Sequence, residues 1–231
     1  GNVIQVGSTR TYKTPSQAAS IAQNGATIEI DAGTYQNDFV NWTQNNLTIR
    51  GIGGKAHLQG TVLIPNAKAI WIVSGSNTTI ENIEFSGAKV IDQNGAGIRI
   101  DGSGLTIRNS YFHDNENGIL GGGGGVVLIE NSEFANNGFG DGFTHNLYLN
   151  DTITSFTFRG NYSHHAKIGH TLKSRAQENY ILYNRITDET GTASYEIDLP
   201  NGGRSVILGN LIQQSASSDN PTIISYGAEG L

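Results

Sequence analysis

An all-β, right-handed parallel β-helix, capped at its start by one short helix, is the fold this sequence predicts. Three observations predict it. A β-prone phrase built around Asn recurs with a period in the twenties. Glycine is plentiful, 31 of 231 residues, without the strict three-residue period of collagen. An amphipathic helical segment of the kind that caps a solenoid precedes the first strand-like run.

The recurring phrase is a β-run, then Asn, then a short apolar or aromatic stretch, then a polar turn. It reads Thr79-Ile80-Glu81-Asn82-Ile83-Glu84-Phe85, then Thr106-Ile107-Arg108-Asn109-Ser110-Tyr111-Phe112, then Leu128-Ile129-Glu130-Asn131-Ser132-Glu133-Phe134. Looser copies surround Asn161, Asn184 and Asn210. Successive Asn positions, 82, 109, 131, 161, 184 and 210, are 27, 22, 30, 23 and 26 residues apart. Short β-runs at such a period suit a β-solenoid, and the uneven spacing calls for turns of variable length. A leucine-rich repeat would carry a stricter Leu pattern, which is missing. Asn tolerates a left-handed backbone at a bend, and stacked Asn side chains can bond to one another as a ladder. These residues therefore read as structural.

The cap falls in about residues 1–25 of a single domain spanning 1–231. Thr14 suits the N-cap, Pro15 the first helical position and Gln17 a capping box, within Thr14-Pro15-Ser16-Gln17-Ala18-Ala19-Ser20-Ile21-Ala22. Strands begin with Ala26-Thr27-Ile28-Glu29-Ile30. Tyr12-Lys13-Thr14-Pro15-Ser16-Gln17-Ala18, followed by Ile28-Glu29-Ile30-Asp31-Ala32-Gly33-Thr34-Tyr35, resembles the opening of pectin-lyase-like β-helix proteins. That resemblance implies the fold for most of the chain. The superfamily includes lyases, hydrolases and uronate epimerases, so it does not choose a reaction. No cap is evident at Gly230-Leu231, and the solenoid is expected to continue or to end against another chain.

Composition excludes several classes. No Cys means no disulfide framework and no thiolate metal site. Net charge is -6, and no basic block exists to track phosphates, so nucleic acid is not an expected partner. No apolar run approaches the roughly 20 residues of a membrane span. With no Met, the first residues read as a processed or engineered end, and the chain is expected to be secreted or periplasmic. Oligomeric state stays open.

A second set of strands is expected to stack into one parallel sheet. Its members include Gly97-Ile98-Arg99-Ile100-Asp101, His145-Asn146-Leu147-Tyr148-Leu149-Asn150, His170-Thr171-Leu172-Lys173-Ser174-Arg175 and Tyr195-Glu196-Ile197-Asp198-Leu199. Side chains alternate between faces, so inward Ile and Leu put Arg99, Tyr148, Asn150, Lys173, Arg175, Glu196 and Asp198 outward, with Asn146 beside them. One column is expected to hold Tyr148, Lys173 and Glu196, and the next Asn150, Arg175 and Asp198. With strands about 4.8 Å apart, acid, base, phenol and cation fall in one patch. The alternative is a solvated face laced with ion pairs.

Four of the six His lie between residues 145 and 170. His145, and His164 or His165 in the turn before the Lys173 strand, are candidate proton shuttles on a groove wall. His170 is expected to face the core, and His57 to stand alone on the surface. No His-x-x-x-His pair suits zinc on a helix, so no metal ligand is assigned. Glycines 121–125 read as a turn, or as a bare coil making room for a ligand.

The patch suits proton abstraction next to a carboxylate, the opening step of both β-elimination and C5 epimerisation of a uronate polymer. Lys173 or a His would be the base, Arg175 the carboxylate partner and Tyr148 the acid. Glu196, Asp198, Asn150 and Arg99 would contact the substrate. Leu172-Lys173-Ser174, Asn179, Tyr183-Asn184, Asp188 and Gly191-Thr192 resemble the alginate lyase and chondroitinase B group. That resemblance implies Lys173 as base, and Ca2+ as a conceivable cofactor. Where the group carries an Arg, a few residues after Gly-Thr, this chain has Glu196. Two other readings remain: a glycoside hydrolase using Glu196 and Asp198, or a non-catalytic module that binds or assembles polysaccharide.

Overall fold

Three columns of apolar side chains, one per face of a coil, account for the architecture. The computed structural model describes residues 2–139, 144–167, 169–189, 193, 195–216, 218 and 222–230. On the first face, Ile49, Ile80, Ile107, Ile129, Phe158 and Ile181 sit directly over one another in parallel register. The second face stacks Leu58, Phe85, Phe112 and Phe134. The third stacks Trp71, Ile98, Ile119, Leu147, Leu172 and Ile197. All of these are buried and belong to one core. Parallel strands of one sheet need long crossovers, and here the rest of each coil supplies the crossover.

The first and second faces form one fifteen-stranded sheet, joined by the long bent strand Thr48–Gln59. The third face is an eight-stranded sheet running from Val40–Trp42 to Ile224–Tyr226. Phe85, Phe112 and Phe134 stack nearly parallel, with centroids 5.0 and 4.9 Å apart. Such pairs add about 0.5–1.5 kcal/mol each beyond the area they bury.

The helix Pro15–Ile21 closes one end, as expected. Thr14 accepts from Gln17 N, while Gln17 Oε1 accepts from Lys13 N at 2.6 Å, one residue earlier than in a regular capping box. Its buried Ala18 belongs to the same core as the strands.

At the corner between the first two faces, the six recurring Asn turn out to do two different jobs. Asn82, Asn109 and Asn131 take the left-handed conformation at φ 62, 52 and 53°. In the later coils that position belongs to Gly160, Tyr183 and Gly209, with φ of 67, 56 and 70°. Asn161, Asn184 and Asn210 stand one residue further on, level with Ser110 and Ser132. There each side-chain oxygen accepts the backbone N–H of the preceding coil. Ser132 donates to Asn161, Asn161 to Asn184 and Asn184 to Asn210, each at 2.8 Å. Ser110 N donates to Ser132 Oγ at 3.1 Å in the same way. The ladder is real, but its earlier rungs are serines.

A second ladder runs through Asn115, Asn137 and Asn146 at the corner between the second and third faces. Asn146 is therefore fully buried, not outward as alternation suggested.

Candidate active site

The outer surface of the third face carries the patch. Tyr148 pairs in register with Lys173, and Lys173 with Asp198. The expected column therefore contains Asp198 where the sequence suggested Glu196. The reason is a break in alternation shared by two strands. In His170–Ser174, both Thr171 and Leu172 are buried while His170 and Lys173 face out. In Tyr195–Leu199, Glu196 and Ile197 repeat that pattern. Leu172 lies on Ile197, and Thr171 Oγ1 donates to Glu196 Oε2 at 2.8 Å.

Glu196 is thus removed from the outer face and from any hydrolytic pair with Asp198. Burial, with the neighbouring Asp188 carboxyl, pushes its pKa up to about 8. Asp188 is also buried and also raised, mainly by desolvation. Glu196 Oε1 and Asp188 Oδ2 have no hydrogen-bond partner among the described residues. Glu196 is therefore a neutral carboxyl in the core at moderate pH, beside a second carboxyl that burial also raises.

Outside, Lys173 Nζ lies 3.9 Å from Asp198 Oδ2 and 5.6 Å from the centre of the Tyr148 ring. Burial lowers the Lys173 pKa, Arg175 lowers it further, and Asp198 and Glu229 oppose them. Arg175 is held on three sides. Its Nε donates to Tyr148 Oη at 3.0 Å, Nη1 to Asn201 Oδ1 at 2.6 Å and Nη2 to Glu229 Oε2 at 2.6 Å. The Tyr148 oxygen accepts from Arg175, so its own O–H proton remains free to be given elsewhere.

His170 faces out, against the expectation of a core residue. Its ring stacks between His145 and Tyr195, with both centroids 5.0 Å away. Its Nε2 is 3.4 Å from Asp198 Oδ2, and burial lowers its pKa to about 4. His145 is nearly fully buried, and desolvation holds its pKa well below the ordinary value. His145 Nδ1 accepts from His170 N at 3.0 Å, so the neutral ring carries its proton on Nε2.

The remaining expected residues divide. Arg99 shares the Tyr148 column two coils away, across Leu120, and its Nε bonds Asp101 at 3.1 Å. Asn150 and Arg175 follow Tyr148 and Lys173 in the same register, but Asp198 is not the third member of that row. His164 belongs to the second face, where it stacks on Tyr162 and its Nε2 lies 2.9 Å from Glu133. His165 Nε2 is 3.6 Å from Glu189. Neither of those carboxylates is part of the patch. Gly191-Thr192 lies outside the described residues.

The glycine run 121–125 is a tight junction between strands. A Cβ on Gly121 would meet Leu149 Cδ2 at 2.6 Å, and Gly123 and Gly125 adopt φ of 49 and 74°. His57 does not stand alone, because Glu84, Ser86 and His113 surround it.

His170, Asn201 and Glu229 were missed from the sequence. The expected column put Lys173 on Glu196, whereas Leu172 pairs with Ile197 and so sets Lys173 on Asp198 and His170 on Tyr195. Ca2+ takes six to eight oxygens, and the patch does not suit it. Asp198 and Glu229 are each engaged by a cation, and the surrounding groups are mostly donors.

Stacked coils and polar ladders at the corners define a parallel β-solenoid. The chain belongs to the right-handed β-helix family, described as "Right handed beta helix region", which it matches over residues 32–225. No curated protein matches the sequence. Among solved structures, ORF18 of Geobacillus virus E2 is similar at a TM-score of 0.59 and 12% identity, over 90% of this chain and 56% of that one. At that identity it shows the fold alone. A PL6 family alginate lyase, AlyGC, is matched at a TM-score of 0.37 and 13% identity, over 97% of this chain and 40% of that one, too distant to carry an argument. The chain spans about half the length of these structures. No described helix is long and apolar enough to cross a membrane.

Proposed function

We propose that this β-helix acts outside the cytoplasm on an acidic, uronate-containing polysaccharide, by removing the proton α to the carboxylate, as a lyase or a C5-epimerase. One observation carries the reading. Lys173 has a lowered pKa on the outer face, between the Tyr148 ring and Asp198, beside the guanidinium of Arg175. Strand-mounted side chains at 4.8 Å spacing also suit an extended polymer.

In the proposed step, neutral Lys173 takes the C5 proton while Arg175 pairs with the uronate carboxylate and stabilises the enolate-like charge. Glu229, half exposed on Arg175, occupies the position such a carboxylate would take. In a lyase, the C4–O4 bond then breaks, C4=C5 forms, and Tyr148 gives its phenolic proton to the departing oxygen. In an epimerase, C5 is reprotonated from the opposite side instead. His170, neutral above about pH 4, lies beside Asp198, which faces Lys173. A hydrolase reading is weakened by the inward turn of Glu196.

The test is ultraviolet absorbance of unsaturated uronates during incubation with a panel of acidic polysaccharides, with and without Ca2+. A rise that Lys173→Ala abolishes supports a lyase. Absence of a rise, with solvent deuterium entering C5, supports an epimerase. Neither signal on any polymer that the chain binds would replace the enzyme with a binding module.

A further inference from the structure

Away from the patch, the second face gathers His57, Glu84 and His113 from three successive strands. These are Thr48–Gln59, Ile83–Ser86 and Tyr111–His113. His57 and Glu84 are direct neighbours in register. His113 comes from the next coil, level with Ser86. All three point outward on one surface. Both imidazoles turn Nε2 toward the same carboxylate oxygen: Glu84 Oε2 is 2.6 Å from His113 Nε2 and 3.6 Å from His57 Nε2. The three ligand atoms lie within 4.8 Å of one another.

We infer that this cluster is a binding site for a divalent first-row transition metal of the Zn2+ type, stapling three coils together. Two His nitrogens and one Glu oxygen are the protein donors of an open zinc site. Zinc bonds of about 2.0–2.1 Å at tetrahedral angles put ligand atoms about 3.3 Å apart, which the two His–Glu distances bracket. Small rotations of long side chains on fixed strands bridge the difference. The outer support is also present. His113 Nδ1 is 2.6 Å from Asp114 Oδ2, the carboxylate–histidine arrangement that orients a metal ligand. Tyr111 stacks on the His113 ring at 4.2 Å and limits its rotation. The three side chains are 18–23% exposed, enough to leave a fourth position for water. Ser86 Oγ lies 2.6 Å from His57 Nε2. Imidazole donors favour Zn2+, Cu2+, Ni2+ or Co2+ over Ca2+ or Mg2+.

The test uses the full chain, stripped by chelator and dialysed. Zn2+ is followed by titration calorimetry, Co2+ by visible absorption, and the thermal midpoint with and without Zn2+. The expected result is one stoichiometric site, a Co2+ spectrum of low-symmetry coordination and a raised midpoint. Glu84→Gln and His113→Gln should each weaken Zn2+ at least tenfold. Asp114→Asn should weaken it about tenfold, as loss of an outer partner does. Circular dichroism of each variant separates lost binding from lost folding. The paired variant His164→Gln/His165→Gln, in the cluster with Glu189, should leave that affinity unchanged. Absence of stoichiometric binding, binding indifferent to Glu84→Gln, or binding lost only in the His164/His165 variant would each overturn the assignment.

Discussion

Lys173 Nζ stands 3.9 Å from Asp198 Oδ2 on the neighbouring coil, and the two groups push each other toward the charged state. Burial works against both. Desolvation is the largest influence on each, lowering the lysine and raising the aspartate. The net lowering at Lys173 suits a lysine that must lose its proton before it can accept another.

The activity proposed for Lys173 requires its neutral form, so kcat/KM should rise with pH along a limb below the ordinary lysine range. Asp198→Asn removes an influence that raises the Lys173 pKa, so the limb should move to lower pH. A pH–rate series on the wild type and this variant checks the sign. A limb that stays in place would remove Asp198 from control of the base.

Glu229 competes with substrate for Arg175 if the guanidinium receives a uronate. Glu229→Gln should then lower KM for anionic polysaccharides with little change in kcat. Arg175→Ala should raise KM on the same polymers. A higher KM in the glutamine variant would mean that Glu229 positions Arg175 instead of screening it.

Glu196 keeps its proton in the folded chain until about pH 8, whereas the unfolded chain ionises it in the ordinary glutamate range. A raised carboxyl pKa favours the folded state in acid, and that contribution fades as pH rises through the window. Glu196→Gln can still accept the Thr171 hydrogen bond and has no charge to bury. Its thermal midpoint should gain on the wild type as pH climbs from the glutamate range toward 8. A gap between the two proteins that is independent of pH would refute the shift.

Asn184 closes two sides of the corner ladder. It accepts from Asn161 N at 2.8 Å and donates to Phe158 O at 2.7 Å. Asn184→Ala leaves Asn161 N buried without a partner and removes one bond from Phe158 O, which the parallel strand pairing also serves. Denaturant titration should show a loss of about 1–3 kcal/mol. Asn24→Ala, at an exposed turn, serves as the comparison.

The fold was legible because each coil repeats the same short phrase. Ile107 and Ile129 are buried at equivalent places in successive coils for the same reason, and repetition multiplies a weak local signal. The equivalence of the six Asn was misread because Asn serves both corner jobs, left-handed bend and ladder rung. Only the residue alongside, Ser110 against Gly160, tells them apart. In the patch, Tyr148, Lys173 and Arg175 were found by alternation, which held on those residues. Glu196 and His170 were misassigned because two consecutive inward residues break the period, and no local feature of a strand announces such a break. Distance along the chain hid the His57, Glu84 and His113 cluster. Spacings of 27 and 29 residues look random until the coil length is known.

The corner between the first two faces has another consequence. From Asn109 onward it always contains two residues between strands. The corner that leads onto the third face varies from 3 residues, 114–116, to 11, 136–146. The widest variation in length thus falls at that edge of the molecule, while the corner between the first two faces keeps these coils in step. The edge free to change its length is the one that borders Lys173 and Tyr148. Residues can therefore be added to the rim beside the patch while each sheet keeps its alignment.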